Sequence, residues 1–382
     1  MYTIGILLPG STLYPSIGMD FLQGIKSCLK YHQHEAVDIQ AGIIGYGLKD
    51  DEIYAATEKF LIISNAEVVI VYAEDYHAEK LSPLFAAAGR LLIITNAGAN
   101  YPVPSLSITH TLFHSLNDCL CTFLTAKYAA RQEGGHGAIM ATSFFDGGYK
   151  HSHAITNGFT LSGGTIKYNF VSHYKKEEFN TDTLIAFIKN NPETKKILAV
   201  FCGDMARYFF EKMMDIQKEY NLQLYGSPMM FDSTPGDFTE PKPSVPDLCG
   251  YTNWIPELDH EANHAFMQYY KAENGKEANL FSMQGWENGL LLMEYLQQRK
   301  ETSNTESAID QLKGKKINSP RGNIHLNEKR FVLGPAHFVK VSGNLQLTIE
   351  DSLTDLSEAW EEMLAQIPNE EFSAWRNTYL CI

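Results

Sequence analysis

Short runs of Ile, Val and Leu alternate with amphipathic stretches from the start of the chain. Thr3–Leu8 is an apolar run closed by Pro9-Gly10, and a helical pattern follows over Gly18–Tyr31. Val37–Ile44, Glu67–Tyr72 and Leu91–Thr95 read as further strands, with one helix predicted over Glu52–Ser64 and another ending near Ala88-Gly89. Strands that are apolar at nearly every position, and separated by helices, predict a parallel sheet covered on both faces.

The rhythm restarts after a long helical stretch predicted over Phe113–Ala130. Ala138–Thr142, Thr165–Phe170, Ile197–Cys202 and Gln223–Gly226 are the strands of a second βα series, and so of a second lobe. Met229–Pro246 holds Pro235, Pro241, Pro243 and Pro246, with Pro228 just before, and reads as a loop or linker. Helices are predicted at His260–Glu273 and Met283–Gln298, and strands at Gly322–Leu326, Ala336–Val341 and Leu345–Ile349. In the tail Leu353, Leu356, Trp360, Met363, Leu364 and Ile367 recur at helical spacing, with Glu358, Glu361 and Glu362 on other faces. Pro368 ends that helix, and Phe372, Trp375 and Tyr379 suggest a further short one. The tail reads as packed on its own lobe, with a partner or homodimer surface as the alternative.

A chain of 382 residues, 44% hydrophobic and 20% charged, is too long for one ordinary core and has the composition of a packed globular protein. Asp and Glu outnumber Lys and Arg by 45 to 31, for a formal charge of −14. Such a surface repels phosphate backbones and anionic headgroups, so nucleic acid and membrane are excluded as main partners, while a locally different cleft still admits a small ligand. No run approaches eighteen apolar residues, so no membrane-spanning helix is expected. The N-terminal run lacks the basic start and cleavage site of a secretion signal. The expected location is therefore the periplasm or cell envelope if a leader was removed, and the cytoplasm if Met1 is the natural start. Cys28, Cys119, Cys121, Cys202, Cys249 and Cys381 are scattered and read as buried thiols; Cys119 and Cys121, two apart on a helix, point to different faces, which disfavours a disulfide or a shared metal.

At this point the sequence resembles a known family, the type I periplasmic binding proteins of the leucine/isoleucine/valine-binding class. Ile4-Gly5-Ile6-Leu7-Leu8-Pro9, then Ser11, Tyr14, Gly18 and Phe21–Ile25, look like that family's first strand, ligand loop and first helix. Ala87-Ala88-Gly89 with Asn96–Asn100 is similar to its fourth strand and turn, and Phe145–Tyr149 to the start of its second lobe. Gly285–Gly289 and Pro320-Arg321-Gly322-Asn323-Ile324 match its return helix and a late strand. The resemblance covers residues 1–350. It implies an α/β fold of two Rossmann-like lobes with parallel sheets, joined by three chain crossings near 117–119, 248–252 and 329–334. Lobe one is then 1–118 plus 250–330, lobe two 119–249 plus 331–352, and 353–382 a helical tail. It also implies a non-catalytic solute-binding protein, without cofactor or metal, that captures a small polar ligand for an ABC permease. The alternative is a cytoplasmic sensor of the amide-sensing type, working against a regulatory protein partner.

Ligands of parallel α/β sheets bind beyond the carboxyl ends of the strands, so the facing loops supply the candidates. In lobe one these are Ser11 and Tyr14, then Glu74, Asp75 and Tyr76, then Asn96, Ala97 and Gly98. In lobe two they are Phe145, Asp146, Asp204 and Met229, with Trp254 flanking. Relatives that bind amino acids hold the ligand carboxylate with hydroxyl and N–H donors where this chain has Glu74-Asp75, and the ammonium with an acid near the position of Met229. Both departures argue for a cationic, amide or polyhydroxylated ligand instead.

Competing motifs carry less. His260-Glu261-Ala262-Asn263-His264 is a literal HExxH, and on a helix it suits a zinc metalloprotease, with Glu287 imaginable as third ligand. The resemblance puts it at the start of a surface helix away from the cleft. His151 and His153 diverge on a helix and read as surface residues. Gly134-Gly135-His136-Gly137 precedes a strand and reads as a turn, not a phosphate cradle.

Overall fold

The structure, a computed structural model, describes residues 1–34, 36–102, 108–232, 245–302, 304–343 and 346–367, the side chain of Lys176 excepted. The core of the predicted linker, the start of the strand placed at Leu345, the short helix of Phe372, Trp375 and Tyr379, and Cys381 lie outside the described residues.

The first half of the chain alternates strand and helix: β1 (Tyr2–Leu8), α1 (Ile17–Tyr31), β2 (Val37–Ile43), α2 (Asp50–Ile62), β3 (Val68–Tyr72), α3 (His77–Ala88), β4 (Leu91–Asn96) and β5 (Thr111–Ser115). A second series follows: α4 (Asp118–Arg131), β6 (Gly137–Thr142), α5 (Lys150–Leu161), β7 (Thr165–Val171), α6 (Asp182–Asn190), β8 (Lys196–Val200), α7 (Gly203–Tyr220), β9 (Gln223–Gly226) and β10 (Cys249–Thr252). The chain then forms α8 (Glu261–Asn274), α9 (Leu280–Glu301), α10 (Thr305–Leu312), β11 (Ile317–Ser319), β12 (Gly322–Leu326), β13 (Phe331–Leu333), β14 (Ala336–Val341), β15 (Leu347–Leu353) and α11 (Ser357–Leu364).

Two mixed sheets result, ordered β11-β12-β13-β5-β4-β3-β1-β2 and β15-β14-β10-β9-β8-β6-β7. Strands β1 to β5 pair in parallel, as do β6 to β10, and the late strands β12, β14 and β15 join antiparallel. Every residue of β3, β4 and β8 is buried, as strands covered by helices on both faces must be. The expected two-lobe α/β architecture is the one observed. The chain changes sheet between β5 and β6, between β10 and β11, and between β13 and β14.

Helices α1 and α9 pack at backbone distance. A β-carbon on Gly24 would stand 2.1 Å from the Ser282 carbonyl oxygen, and one on Gly285 2.1 Å from that of Phe21. Any side chain at either position would force the helices apart. Helix α9 begins with a capping box, Asn279 Oδ1 accepting from the Ser282 N–H at 2.9 Å while Ser282 Oγ accepts from the Asn279 N–H at 2.8 Å.

From α9, Glu287 reaches into the first lobe as a fully buried carboxylate. It accepts from Arg321 Nε (2.8 Å), Ser319 Oγ (2.6 Å) and His114 Nε2 (2.7 Å). Burial alone would raise its pKa, but the Arg321 charge and the hydrogen bonds from His114 and Ser319 hold it down at about 2. Arg321 also donates to the Ser115 carbonyl at 3.1 Å, and its own carbonyl accepts from His337 Nε2 at 3.0 Å. Asn253 donates to Asp118 Oδ1 at 2.7 Å. Hydrogen bonds thus lace together the segments around all three changes of sheet.

Three local expectations are corrected. Phe113–Ser115 is the end of β5, not the start of a helix: it pairs with β4 and β13, and Asn117 at φ 59° turns the chain before α4 begins. Leu353 closes β15 opposite Ala336 instead of opening the tail helix. His151 is not a surface residue but wholly buried where α5 packs on α4. Neither ring nitrogen of His151 has a hydrogen-bond partner among the described residues, and burial pushes its pKa down to about 3.

Candidate functional site

The loops after β1 and β8 touch. Leu13 on one rim lies against Gly203 on the other, where a β-carbon would stand 2.6 Å from Leu13 Cδ1. A second bridge joins the Tyr101 hydroxyl, beyond β4, to His153 Nδ1 on α5 at 2.7 Å. Beside the first contact is a cavity of about 330 Å³. Leu13 lines it from the first rim; Ser143, Phe145 and Asp146 from the loop after β6, Tyr174 from beyond β7, and Cys202, Asp204 and Met205 from the start of α7 complete it.

In the first rim, Ser11 Oγ accepts from the N–H groups of Leu13 (3.1 Å) and Tyr14 (2.9 Å), a serine turn leading into α1. The Tyr14 ring is buried edge-on against Phe281 at 5.4 Å. Glu74 is buried and accepts from Asn100 Nδ2 at 2.8 Å; Asp75 accepts from Asn96 Nδ2 at 2.7 Å. Asn96 Oδ1 in turn accepts from the Gly98 N–H at 2.8 Å. The Ala97 and Gly98 carbonyls accept from the N–H groups of Asp118 and Cys119, so this loop caps α4 at the first change of sheet. Tyr76 is half-buried, its ring 4.0 Å from that of His77.

In the second rim, Asp146 is only 3% exposed. Its Oδ2 accepts from Ser143 Oγ at 2.6 Å and from the Cys202 N–H at 2.9 Å, at the N-terminus of α7. Asp204 sits half-buried in the first turn of α7. Phe144, Phe145 and Tyr174 form an exposed aromatic lip, with ring centroids 5.5 Å and 5.9 Å apart.

Of the sequence candidates, the cavity brings together Phe145, Asp146 and Asp204. Met229 is fully buried in the core of the second lobe. Trp254 is buried too, its indole N–H donating to Asn263 Oδ1 at 2.9 Å and its ring meeting Phe266. Leu13 and Met205, which also line the cavity, are apolar neighbours of the candidates Tyr14 and Asp204 and carry no polar or aromatic signal in the sequence. Tyr174 lies beyond β7, and the signal for it in the sequence is the aromatic doublet Phe144-Phe145, whose first ring it meets.

The HExxH residues lie elsewhere. His260 caps α8 from outside the helix, His264 is 63% exposed beside Asp259, and Glu287 is engaged by Arg321. Among the described residues no group of three His, Cys, Asp or Glu side chains is placed to hold a metal ion.

The family model described as periplasmic binding protein matches residues 1–344. Among curated protein sequences none matches the chain. An ABC transporter substrate-binding protein from Sphaerobacter thermophilus is 18% identical, with a TM-score of 0.76 over 93% of this chain and 98% of that one. The solute-binding protein of an ABC transporter from Rhodopseudomonas palustris BisB5, in complex with 3,4-dihydroxybenzoic acid, is 16% identical, with a TM-score of 0.71 over 92% and 97%. A leucine-binding protein from Thermotoga maritima is 14% identical, with a TM-score of 0.64 over 93% and 99%. At such identities these likenesses establish the fold, and the family match spans all but β15 and α11. The chain belongs to the periplasmic binding protein family.

Proposed function

We propose that this protein takes up a small polar ligand between its two rims and presents the closed complex to an ABC permease on the outer side of the membrane, without altering the ligand. The observation that carries this reading is the cavity beside the Leu13–Gly203 contact, lined by loops beyond the carboxyl ends of β6, β7 and β8 and met by Leu13 from the loop after β1. The lobe division expected from the sequence belongs to the same proposal, with β10 and β13 shifting its second and third boundaries by a few residues. Closing such a cleft removes water, and each polar contact to the enclosed molecule strengthens as the local dielectric falls. Asp146, Asp204 and Phe145 are proposed to face the ligand, and Glu74 and Asp75 to order the opposite rim through Asn100 and Asn96.

A thermal-shift screen of the full chain against amino acids, amides, aromatic acids, amines and sugars tests this. At a hundredfold excess over its dissociation constant a ligand adds about 2.7 kcal/mol of stability. The reading expects one chemical class to shift the midpoint, to bind with one-to-one stoichiometry in calorimetry, and to be recovered chemically unchanged. Turnover of the molecule, or binding undisturbed by blocking the Leu13–Gly203 cavity, would contradict it.

A further inference from the structure

We infer that the protein carries a second binding site, where the chain changes sheet after β10 and again after β13, for a small molecule bearing oxyanions such as carboxylate or phosphate groups. A cavity of about 730 Å³ opens there, and it shares no described lining residue with the cleft cavity. The inference does not depend on what the cleft holds. Asp259 and His260 line the cavity from the segment after β10, and Pro335 from the link between β13 and β14. Arg321 and His325 wall it from the first sheet, His337 and Ser352 from the second. His337 ties the two walls together: Nε2 donates to the Arg321 carbonyl at 3.0 Å, and Nδ1 stands 2.8 Å from Ser352 Oγ.

The donors decide the chemistry. Arg321 is fully buried, with Nε donating to Glu287 and Nη2 to the Ser115 carbonyl, while its buried Nη1 has no partner among the described residues. A buried guanidinium N–H is costly to leave without an acceptor, and its strongest acceptors are carboxylate and phosphate oxygens. The buried Nδ1 of His260 likewise has no partner among the described residues. His260 stands at the N-cap of α8, and no side chain bonds the first turn, so the positive end of a helix of 14 residues adjoins the cavity. Lys316 adds an exposed ammonium to the same wall.

Two acids also line the cavity. Asp259 leaves 98% of its side chain in solvent, beside His264. Asp355 accepts from the Ser357 N–H at 2.9 Å, and His325 and Lys316 lie near enough to stabilise its charge further. The preference therefore rests on the unmatched donors of Arg321 and His260, not on net charge. A volume of about 730 Å³ exceeds a lone phosphate and suits a molecule carrying more than one anionic group.

The test is calorimetry on the full chain with succinate, its uncharged diamide and inorganic phosphate, at an ionic strength held constant with sodium chloride. Lys316→Glu and His260→Ala are measured alongside; both side chains lie on the cavity wall outside the Glu287–Arg321 pair, and circular dichroism checks the fold of each variant. Succinate or phosphate is expected to bind one-to-one, about tenfold more tightly than the diamide, and the tighter of the two names the anionic group. Lys316→Glu is expected to weaken that binding about tenfold and His260→Ala about threefold. Neither anion binding at millimolar concentration, the diamide binding as tightly as the anions, or both variants binding like the parent overturns the inference.

Discussion

Leu13 and Gly203 meet across the two rims so closely that a β-carbon on the glycine would stand 2.6 Å from Leu13 Cδ1. Gly203 also has φ +55°, in the left-handed region that side chains other than glycine enter at a cost. Gly203→Ala is therefore expected to hold the rims apart, lowering affinity for the best-binding small molecule about tenfold and stability by about 1 kcal/mol. Leu13→Ala removes the obstructing methyl groups, so the double variant regains most of the lost affinity. Calorimetry on the two single variants and the double variant measures this, and additive losses would show that the two residues do not meet on binding.

The Glu287–Arg321 pair predicts a large asymmetry between single and double replacement. Both side chains are fully buried, and removing one leaves the other charge uncompensated. Glu287→Gln or Arg321→Met is expected to cost about 3–5 kcal/mol in urea unfolding, while replacing both by Leu and Met recovers much of it. A single replacement costing under about 1 kcal/mol would contradict the placement.

Acid sensitivity follows from two imidazoles held neutral. Burial is the main cause in both, pushing His151 to about 3 and His337 to about 4, below the ordinary value of 6.5. The unfolded chain takes up these protons first. Stability is thus intact above about pH 6.5 and declines as the pH falls through the window down to 3–4. Glu287, held at about 2 against an ordinary 4.5, adds a loss of opposite origin, complete only near pH 2. Urea midpoints between pH 7 and pH 4 check this: His151→Leu is expected to flatten the decline, and an unchanged slope would refute His151's share.

Helix α11 lies beyond the family match yet is seated firmly. Trp360 is 1% exposed, its ring 5.5 Å from that of Phe331 on β13; Lys329 lies 5.1 Å from the same ring and pairs with Glu361 at 2.6 Å, while Lys127 on α4 pairs with Glu362. Trp360→Ala is expected to cost about 3–5 kcal/mol. Glu361→Ala, which breaks an exposed pair, costs under about 1 kcal/mol. Chemical unfolding of the two variants distinguishes them, and equal effects would be contrary to this packing.

The inner strands β3, β4 and β8 were legible because burial on both faces writes itself as near-continuous Ile, Val and Leu, with Ala88-Gly89 as punctuation before β4. Strand β5 was hidden because its Phe113 runs without a proline or glycine into the apolar start of α4, and only the positive φ of Asn117 separates them. Trp254 and Met229 show the limit for the site. Position in a loop near a rim was visible, but whether a side chain turns to the cleft or to the core depends on neighbours distant in sequence, such as Asn263 for Trp254. The carboxylates of the second rim were readable from the residues beside Phe145 and Gly203. Their partnership, Asp146 with the Cys202 N–H 56 positions away, required the fold.

Small-angle scattering of the full chain, with and without the small molecule that gives the largest thermal shift, tests the central claim most directly. The account predicts a smaller radius of gyration on addition, reversed by dialysis, with the molecule recovered at its original mass. An unchanged radius at saturation, or a recovered product of different mass, would contradict it.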